Sequence, residues 1–324
     1  MTKRYTRFET QAAMTTNDSS WTPAGTAHIL DVSGEDINVD NGYIYPTTQS
    51  NRTYTRGVKG PVKIAGPIDT PLFPKSAASL LYYGLGSCTT SGSSAPFTHA
   101  LKKGDSIPQF SCEVGKDVKA HKFVGGIVNS ISIDYAPDDT LNASFDCVFR
   151  KELATSALAT VTFPDFDSAD RAFAGHECAF KLGAAEGGSP SASTICEAFS
   201  VSIENNVSDD AFALGDRYLP ANIVAQLGIT GTMDVRYDAS TQYDDFLATT
   251  EKEVHLVADN GGSSAASRKI TLKLPRIAYD TNRLPTDNVE RFVQAISWTA
   301  EPNAAGDPIL VDVVNAEANA AFVA

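Results

Sequence analysis

Short runs of alternating apolar and polar residues dominate this chain, and such runs predict β-strands. The clearest example is Val224–Tyr237. Its apolar positions include Ile229, Met233 and Val235. The positions between them are polar and include Thr230, Thr232 and Asp234. A strand with this period buries one face and leaves the other in water.

Further runs predict antiparallel pairs. Ile127–Tyr135 and Leu141–Arg150 flank the turn Pro137-Asp138-Asp139 and form a half-buried hairpin. The turn sequence Asp40-Asn41-Gly42 favours another hairpin turn at these residues, because Asn and Gly tolerate positive φ. We therefore expect a mainly β fold.

Two segments predict short helices. A Ser/Ala-rich stretch within residues 71–86 ends at Gly84 and Gly86, which is typical of a helix stop. Residues 238–247 predict a second helix with Tyr243, Phe246 and Leu247 on its apolar side. The Ser/Gly-rich segment 87–96 predicts an exposed loop, and Gly125-Gly126 predicts a turn.

The order of these elements occurs twice. Sliding Ile37–Phe73 by 165 positions onto Ser202–Asp238 places Asn41 on Asn206 and Gly66 on Gly231. A repeat near half the chain length indicates two tandem copies of one domain. We expect an extended arm over residues 1–27, a first domain over 28–160 and a second over 161–324.

Composition narrows the class of protein. The chain has 324 residues, 42% of them hydrophobic, with a net charge of −13 and a pI near 4.8. No run of Lys and Arg suggests a nucleic-acid patch. The first residues lack the apolar core of a signal peptide, and no run approaches the roughly 20 apolar residues of a membrane span. These features favour a protein made and kept in a cytoplasm, without a membrane.

Reactive clusters are weak. The five cysteines lack CxxC spacing, and His176-Glu177-Cys178 on a strand would point to alternating faces, which is poor metal geometry. Paired acids such as Asp138-Asp139 lie in turn-like contexts, and no GxSxG occurs. We expect no catalytic, metal or cofactor site, and a protein that is not an enzyme.

The second copy carries a resemblance to a known family. Residues 199–248 resemble the major tail tube protein of long-tailed, non-contractile (siphovirus-type) bacteriophages. The matching elements are a strand, a polar loop with Gly and Arg, a long strand with a Gly-Thr step, and a short helix. Here they are Phe199–Asn206, Gly215–Arg217, Ile229–Tyr237 and Gln242–Leu247.

The resemblance implies a fold and an assembly. Tube domains of this family are β-sandwiches or half-barrels, each with a short flanking helix, whose long hairpins form an inner β-barrel in a ring. Two fused domains imply homotrimeric, pseudo-hexameric rings that stack into a hollow virion tail tube for DNA delivery. The implied partners are the chain itself, DNA and the tape measure protein in the lumen, and tail terminator and tail tip proteins at the ends.

The resemblance also assigns residues. Thr230, Thr232 and Asp234 would face the lumen and form a hydrophilic, weakly acidic wall. The polar stretches Thr47–Arg56 and Ser208–Ala221 would form hairpin tips that contact other subunits or rings. The residues expected in those contacts are Thr47, Asn51, Arg52, Arg56, Asp209, Asp210 and Arg217.

Three alternatives stay open at this point. Another tube-fold ring, such as a tail terminator, would share these strands. A carbohydrate-binding or adhesive β-sandwich module would be a monomer with exposed aromatic residues and glycan affinity. A glycosidase using an Asp pair would need a concave site with one carboxyl of raised pKa.

Overall fold

The computed structural model describes residues 12–15, 29–30, 32–47, 49–50, 52–54, 56–116, 119–156, 170–285 and 292–318. Within these residues the protein is mainly β, built from antiparallel strands with two short helices. No closed barrel forms within one chain among the residues described.

In the first half, the described residues form thirteen strands and one helix. They are β1 (Ala12–Thr15), β2 (Ile29–Leu30), β3 (Gly34–Glu35), β4 (Asn38–Asp40), β5 (Tyr43–Ile44), β6 (Val58–Lys59), β7 (Lys63–Pro71), α1 (Pro74–Leu85), β8 (Gly86–Ser91), β9 (Phe97–Lys103), β10 (Phe110–Lys116), β11 (Lys119–Tyr135), β12 (Asn142–Phe149) and β13 (Lys151–Ser156).

In the second half, the part of the chain that the structure describes forms ten strands and one helix. They are β14 (Cys178–Ala184), β15 (Ser191–Ala192), β16 (Cys196–Glu204), β17 (Val207–Ser208), β18 (Ile223–Val224), β19 (Gly228–Arg236), α2 (Thr241–Leu247), β20 (Lys252–Asp259), β21 (Lys269–Arg283), β22 (Val293–Ala300) and β23 (Leu310–Asn315). The described residues also include the 3-10 turns Gly175–Glu177 and Ser264–Ala266.

Both predicted helices are present, but only α1 belongs to the core. Pro74 opens α1, and Gly86 ends it with a φ of 95° and a backbone N–H bonded to Tyr82. Helix α2 buries only Gln242. Tyr243 and Leu247 are exposed, so the apolar side predicted for α2 does not face the core.

The predicted loop 87–96 is wrong in part. Gly86–Ser91 is strand β8, paired along its whole length with β9. The side chains explain the pairing, because Thr90 lies 2.8 Å from Nδ1 of the buried His99 on β9. Nε2 of His99 in turn lies 2.9 Å from Asn315 on β23, which continues the same sheet. A polar strand can therefore form where a buried partner fixes its hydroxyl groups.

The predicted turn at Gly125-Gly126 is also wrong, because both glycines lie inside the 17-residue strand β11. Residues before them pair with β10 and β13, and residues after them pair with β12 and β16. Gly125 has a φ of 64°, a conformation that favours glycine and bends the strand between the two sheets. Strand β21 is shared between sheets in the same way.

Strand pairings in the first half recur in the second half in the same order. The matched pairs are β1–β2 with β14–β15, β1–β10 with β14–β20, β4–β7 with β16–β19, β5–β6 with β17–β18, β7–β12 with β19–β22, β10–β11 with β20–β21, β11–β12 with β21–β22, and β11–β13 with β21–β23. The hairpin β8–β9 has no counterpart among the described strands of the second half.

The repeat holds at the level of single residues. Strands β7 and β19 both span nine residues, and Lys63 coincides with Gly228 at an offset of 165 positions. Asp40 pairs with Lys63 and Glu204 pairs with Gly228, so Asp40 and Glu204 occupy equivalent positions. Two residues further on, Gly42 and Asn206 both have positive φ, 48° and 50°.

The two halves are joined by two strand pairings, β11–β16 and β9–β23. One apolar core runs through both halves. Phe110 packs edge-on against Phe149 in the first half, and Phe199 stacks on Trp298 in the second. Because these side chains lie between sheet layers, each half has the character of a β-sandwich.

Candidate assembly surface

Eight strands of the molecule form one continuous layer. Their order is β4–β7–β12–β11–β16–β19–β22–β21. One side of this layer is buried under α1 and other strands. Phe180 of β14, for example, packs on Phe199 of β16 at 5.7 Å between ring centroids. The opposite side is polar, and we call it the polar face.

Small hydroxyl side chains run across the polar face in cross-strand pairs. Thr232 and Ser200 hydroxyls lie 2.8 Å apart, and Thr281 and Ser297 hydroxyls lie 2.6 Å apart. Further members of the face are Asn38, Asp40, Lys63, Asp69, Ser130, Ser132, Asp134, Asn142, Ser144, Asp146, Ser202, Glu204, Thr230, Asp234, Arg236, Asp280, Arg283 and Thr299. Acidic side chains outnumber basic ones, so this surface is hydrophilic and net negative.

The residues predicted for the lumen lie on this face. Thr230 and Thr232 are exposed and Asp234 is half-buried. Met233 and Val235, on the same strand, are each 1% exposed in the core. Partial burial raises the pKa of Asp234, and the neighbouring Glu197 adds to the rise.

Among the described residues, both ends of the eight-strand layer have a free edge. Strand β4 pairs with β7 on one side, and no described strand covers its other side. At the opposite end, Tyr279–Arg283 of β21 pairs with β22 only, as far as the described residues go. Unpaired edges are templates for another strand. The molecule therefore offers complementary attachment sites at its two ends.

The second hairpin, residues 207–224, packs back onto the first half. Arg217 donates from Nε to the Gly60 carbonyl at 3.0 Å, and the Val62 N–H donates to the Arg217 carbonyl at 2.7 Å. Asp209 forms an ion pair with Lys63 at 3.0 Å. Asp210 is exposed and accepts from Ser208 within the loop. Two residues predicted for contacts with other subunits thus make contacts within this chain.

The first hairpin, residues 43–59, is exposed instead. Thr47, Arg52 and Arg56 are all exposed, and Asn51 lies outside the described residues. The hairpin carries a cluster of tyrosines. The ring centroid of Tyr45 lies 6.3 Å from that of Tyr43 and 6.2 Å from that of Tyr54. Tyr54 is 74% exposed. An exposed aromatic cluster of this kind is typical of an interaction surface.

Sequence reasoning missed the residue that fixes the junction between the halves. Asn205 is 2% exposed, and its Nδ2 donates to the Gly84 and Val128 carbonyls at 3.0 and 2.9 Å. The sequence signal for Asn205 is the asparagine that precedes each hairpin, because Asn41 and Asn205 are equivalent at an offset of 164 positions. The offset of 165 positions pairs Asn41 with Asn206 instead and so hides this equivalence.

Among the described residues, no cluster of His, Cys, Asp and Glu could hold a metal ion. Burial raises the pKa of Cys178 and Cys196 to about 12, which keeps both thiols protonated at neutral pH. No described helix has the length and apolar character needed to span a bilayer.

These features define a class of protein before any comparison is made. A sandwich with two free sheet edges, an exposed aromatic hairpin and a broad polar face is a building block for self-assembly. A model of the phage tail tube protein family matches residues 46–308, which is most of the chain. The protein therefore belongs to the phage tail tube protein family, with a structural role in the virion tail. A search of curated proteins found no match.

Proposed function

We propose that three copies of this chain form a pseudo-hexameric ring, and that the rings stack into the tail tube of a siphovirus-type phage. Each chain would contribute two tandem tube domains, one from residues 28–160 and one from 161–324. The arm at residues 1–27 precedes them, and its Ala12–Thr15 segment pairs with β10.

The repeated strand pairings carry this proposal. Eight strand pairings of the first half, from β1–β2 to β11–β13, have counterparts in the second half, from β14–β15 to β21–β23. A chain that holds two equivalent domains presents two similar units to a ring. Three such chains supply six units, which accounts for sixfold pseudo-symmetry with true threefold symmetry.

The eight-strand layer supports an inner barrel. Three chains with eight strands each would give 24 strands around the ring. With strands about 4.8 Å apart and tilted by about 40°, such a barrel would be about 48 Å across its backbone. That width leaves a wide channel after side chains are placed.

The polar face suits the wall of that channel. The other side of the layer is covered by α1 and strands such as β14, so only the polar face is available. Thr230, Thr232 and Asp234 would line it. Duplex DNA carries about one negative charge per 1.7 Å, so a hydrophilic and net negative wall would not hold it. DNA and the tape measure protein would therefore pass without adhering.

The remaining partners follow from the family. We propose that the chain is made in the host cytoplasm, that tail terminator and tail tip proteins close the ends of the tube, and that the protein has no enzymatic role. The free edges and the polar face are surfaces for assembly and passage, and neither needs a catalyst.

The test is assembly of the purified protein, followed by light scattering and negative-stain electron microscopy. The proposal expects rings with a mass of three chains and hollow tubes made by stacking them. A protein that stays monomeric at high concentration, or that binds glycans as a monomer, would contradict it.

A further inference from the structure

The two halves of the chain meet at a junction. Each of the two surfaces that meet there has an equivalent surface in the other half. On one side are β16, Asn205 and the second hairpin. On the other side are β11, the Val62 region and the end of β12. Within one chain these surfaces meet once, between the second half and the first half.

The second hairpin is held in this junction by apolar contacts as well as hydrogen bonds. Val207 and Leu219 are 9% and 4% exposed and pack with Ile127 and Val148. Arg150 donates from Nε to the Leu219 carbonyl at 3.2 Å. Strand β16 pairs with β11 so that Ser130 lies opposite Glu204.

The first half carries the same inserting elements, and they are exposed. Asn41, equivalent to the buried Asn205, is exposed. Arg52 and Arg217 each lie six residues before the second strand of their hairpins, which begin at Val58 and Ile223. Tyr54 and Leu219 are equivalent by the same distance to these strands. Tyr54 is 74% exposed, whereas Leu219 is 4% exposed.

The second half carries the equivalent receiving elements, and a cleft lies beside them. The cleft, of about 1150 Å³, is lined in the second half by Ala225, Leu227, Thr299, Ala300 and Pro302, and it is also lined by first-half residues such as Lys103, Ser106 and Ile107. At the offset of β7 and β19, Leu227 corresponds to Val62, whose N–H donates to the Arg217 carbonyl of the second hairpin. Val62 is 4% exposed, whereas Leu227 is only half-buried.

We propose that the first hairpin of one chain docks in this cleft of the next chain, against its second half, so that the junction within the chain is repeated between chains. This inference rests on the proposed ring. The occupant is a second copy of this chain, because only the first half presents a hairpin equivalent to the one already seated in the junction.

The equivalence fixes the register of the strands. A register shift separates Val128 from Ser130 in β11 and Tyr279 from Thr281 in β21, so Ser130 corresponds to Thr281. Since Ser130 lies opposite Glu204, Thr281 lies opposite Asp40 of the next chain. Asn282 then lies opposite Val39, and Arg283 opposite Asn38.

The equivalence also fixes polar contacts across the interface. Asn41 donates to the Tyr279 carbonyl of the next chain, as Asn205 does to Val128. Arg52 donates to the Ala225 carbonyl, as Arg217 does to Gly60. One contact changes in chemistry, because Glu301 stands where Arg150 stands in the first half. The carboxylate of Glu301 instead faces the guanidinium of Arg56, which replaces Ala221 in the first hairpin.

Cysteine cross-linking tests the register. Asp40 and Thr281 lie on opposite end strands of the eight-strand layer, so a disulfide between cysteines at these positions can form only between chains. The variant D40C/T281C should give covalent dimers and trimers on oxidation of assembled protein. D40C/R283C is the matched control, because residues two positions out of register lie about 7–8 Å apart, beyond disulfide range. S130C/E204C should cross-link within one chain, and the unmodified protein sets the background from native cysteines.

A charge exchange tests the hairpin. Arg56→Glu and Glu301→Arg should each raise the protein concentration needed for ring formation, and the double variant should restore the original value. Leu247→Ser, at an exposed apolar position on α2, is the control and should leave ring formation unchanged.

The outcomes separate this inference from the proposed function. Cross-linked trimers from D40C/T281C together with charge rescue support the interface. Normal tubes with cross-links only in D40C/R283C, or no rescue by the double variant, overturn the interface but leave the tube function standing. A folded chain that never assembles overturns both.

Discussion

At the residue scale, Gly66 and Gly231 are equivalent positions of the repeat at which a neighbouring backbone comes very close. A Cβ on Gly231 would lie 2.1 Å from the Ser200 carbonyl oxygen, and a Cβ on Gly66 would lie 2.1 Å from the Asp36 carbonyl oxygen. Asp36 and Ser200 are equivalent at the offset of 164 positions. The same close approach of two backbones therefore occurs in both halves, and only glycine fits it.

Replacing Gly231 by Ala should destabilise the chain by about 2 kcal/mol or more, because the new methyl group would also lie 2.3 Å from the Trp298 ring. The measurement is urea unfolding followed by tryptophan fluorescence. Gly228→Ala is the control on the same strand, since nothing lies within 4 Å of its Cβ position. Equal unfolding midpoints for the two variants would contradict this account of the glycine.

Asp234 gives a prediction with a defined pH dependence. Burial and Glu197 raise its pKa in the folded state, so the folded protein holds this proton more tightly than the unfolded chain does. Its contribution to stability is therefore present at acid pH and is lost as the pH rises through the folded pKa. Asp234→Asn should raise the melting temperature slightly at neutral pH, by an amount limited by solvent screening of this half-buried group.

The comparison that checks this is a pair of melting curves at neutral pH and at a pH below the usual carboxyl range. The advantage of Asp234→Asn should disappear at the lower pH, where both side chains are neutral. An advantage that stays constant across the pH range would rule out the carboxylate charge as its cause.

At the scale of elements, local patterns predict strands well and their partners poorly. The alternation in Gly228–Arg236 was enough to separate buried Met233 from exposed Thr232, because a strand has a period of two whatever it pairs with. Segment 87–96 lacked that alternation, and its strand β8 depends on β9 and His99. The joining of β11 to β16 could not be predicted, since nothing local specifies a partner about 70 residues away.

The candidate site divides in the same way. Placement of Thr230, Thr232 and Asp234 on one polar face followed from their own strand. Arg217 and Asp209, in contrast, contact the first half of the chain, which depends on where the hairpin folds back. Polar composition marked the two hairpin loops, although it also marked the strand β8 as a loop. It could not distinguish a loop seated within the chain from one that remains exposed.

The asparagines of the two hairpins should behave differently when changed to alanine. Asn205→Ala removes the donor from two carbonyls in a buried junction and should cost about 2 kcal/mol of folding stability. Asn41→Ala should change the stability of the single chain by less than about 0.5 kcal/mol, because Asn41 is exposed. It should nevertheless weaken ring formation. Unfolding curves and light scattering of both variants check this, and an Asn41→Ala variant that assembles normally would count against the proposed equivalence.

At the scale of the whole molecule, assembly must overcome charge. Each chain carries a formal net charge of −13, and the proposed ring would bring several acidic polar faces together. Raised ionic strength screens this repulsion, with a Debye length of about 10 Å at 0.1 M salt. Salt should therefore lower the protein concentration at which rings appear, as measured by light scattering across a salt series. An interface dominated by exposed ion pairs would show the opposite trend.

The central claim is that two tandem tube domains in each of three chains build the ring. Cryo-electron microscopy of the assembled tube tests it most directly, because symmetry and strand order are read from the same map. The account predicts threefold rings with sixfold pseudo-symmetry, an inner barrel of 24 strands, eight per chain, and Thr230, Thr232 and Asp234 on the lumen wall. Rings of six chains, or a map with Met233 and Val235 facing the lumen, would contradict it.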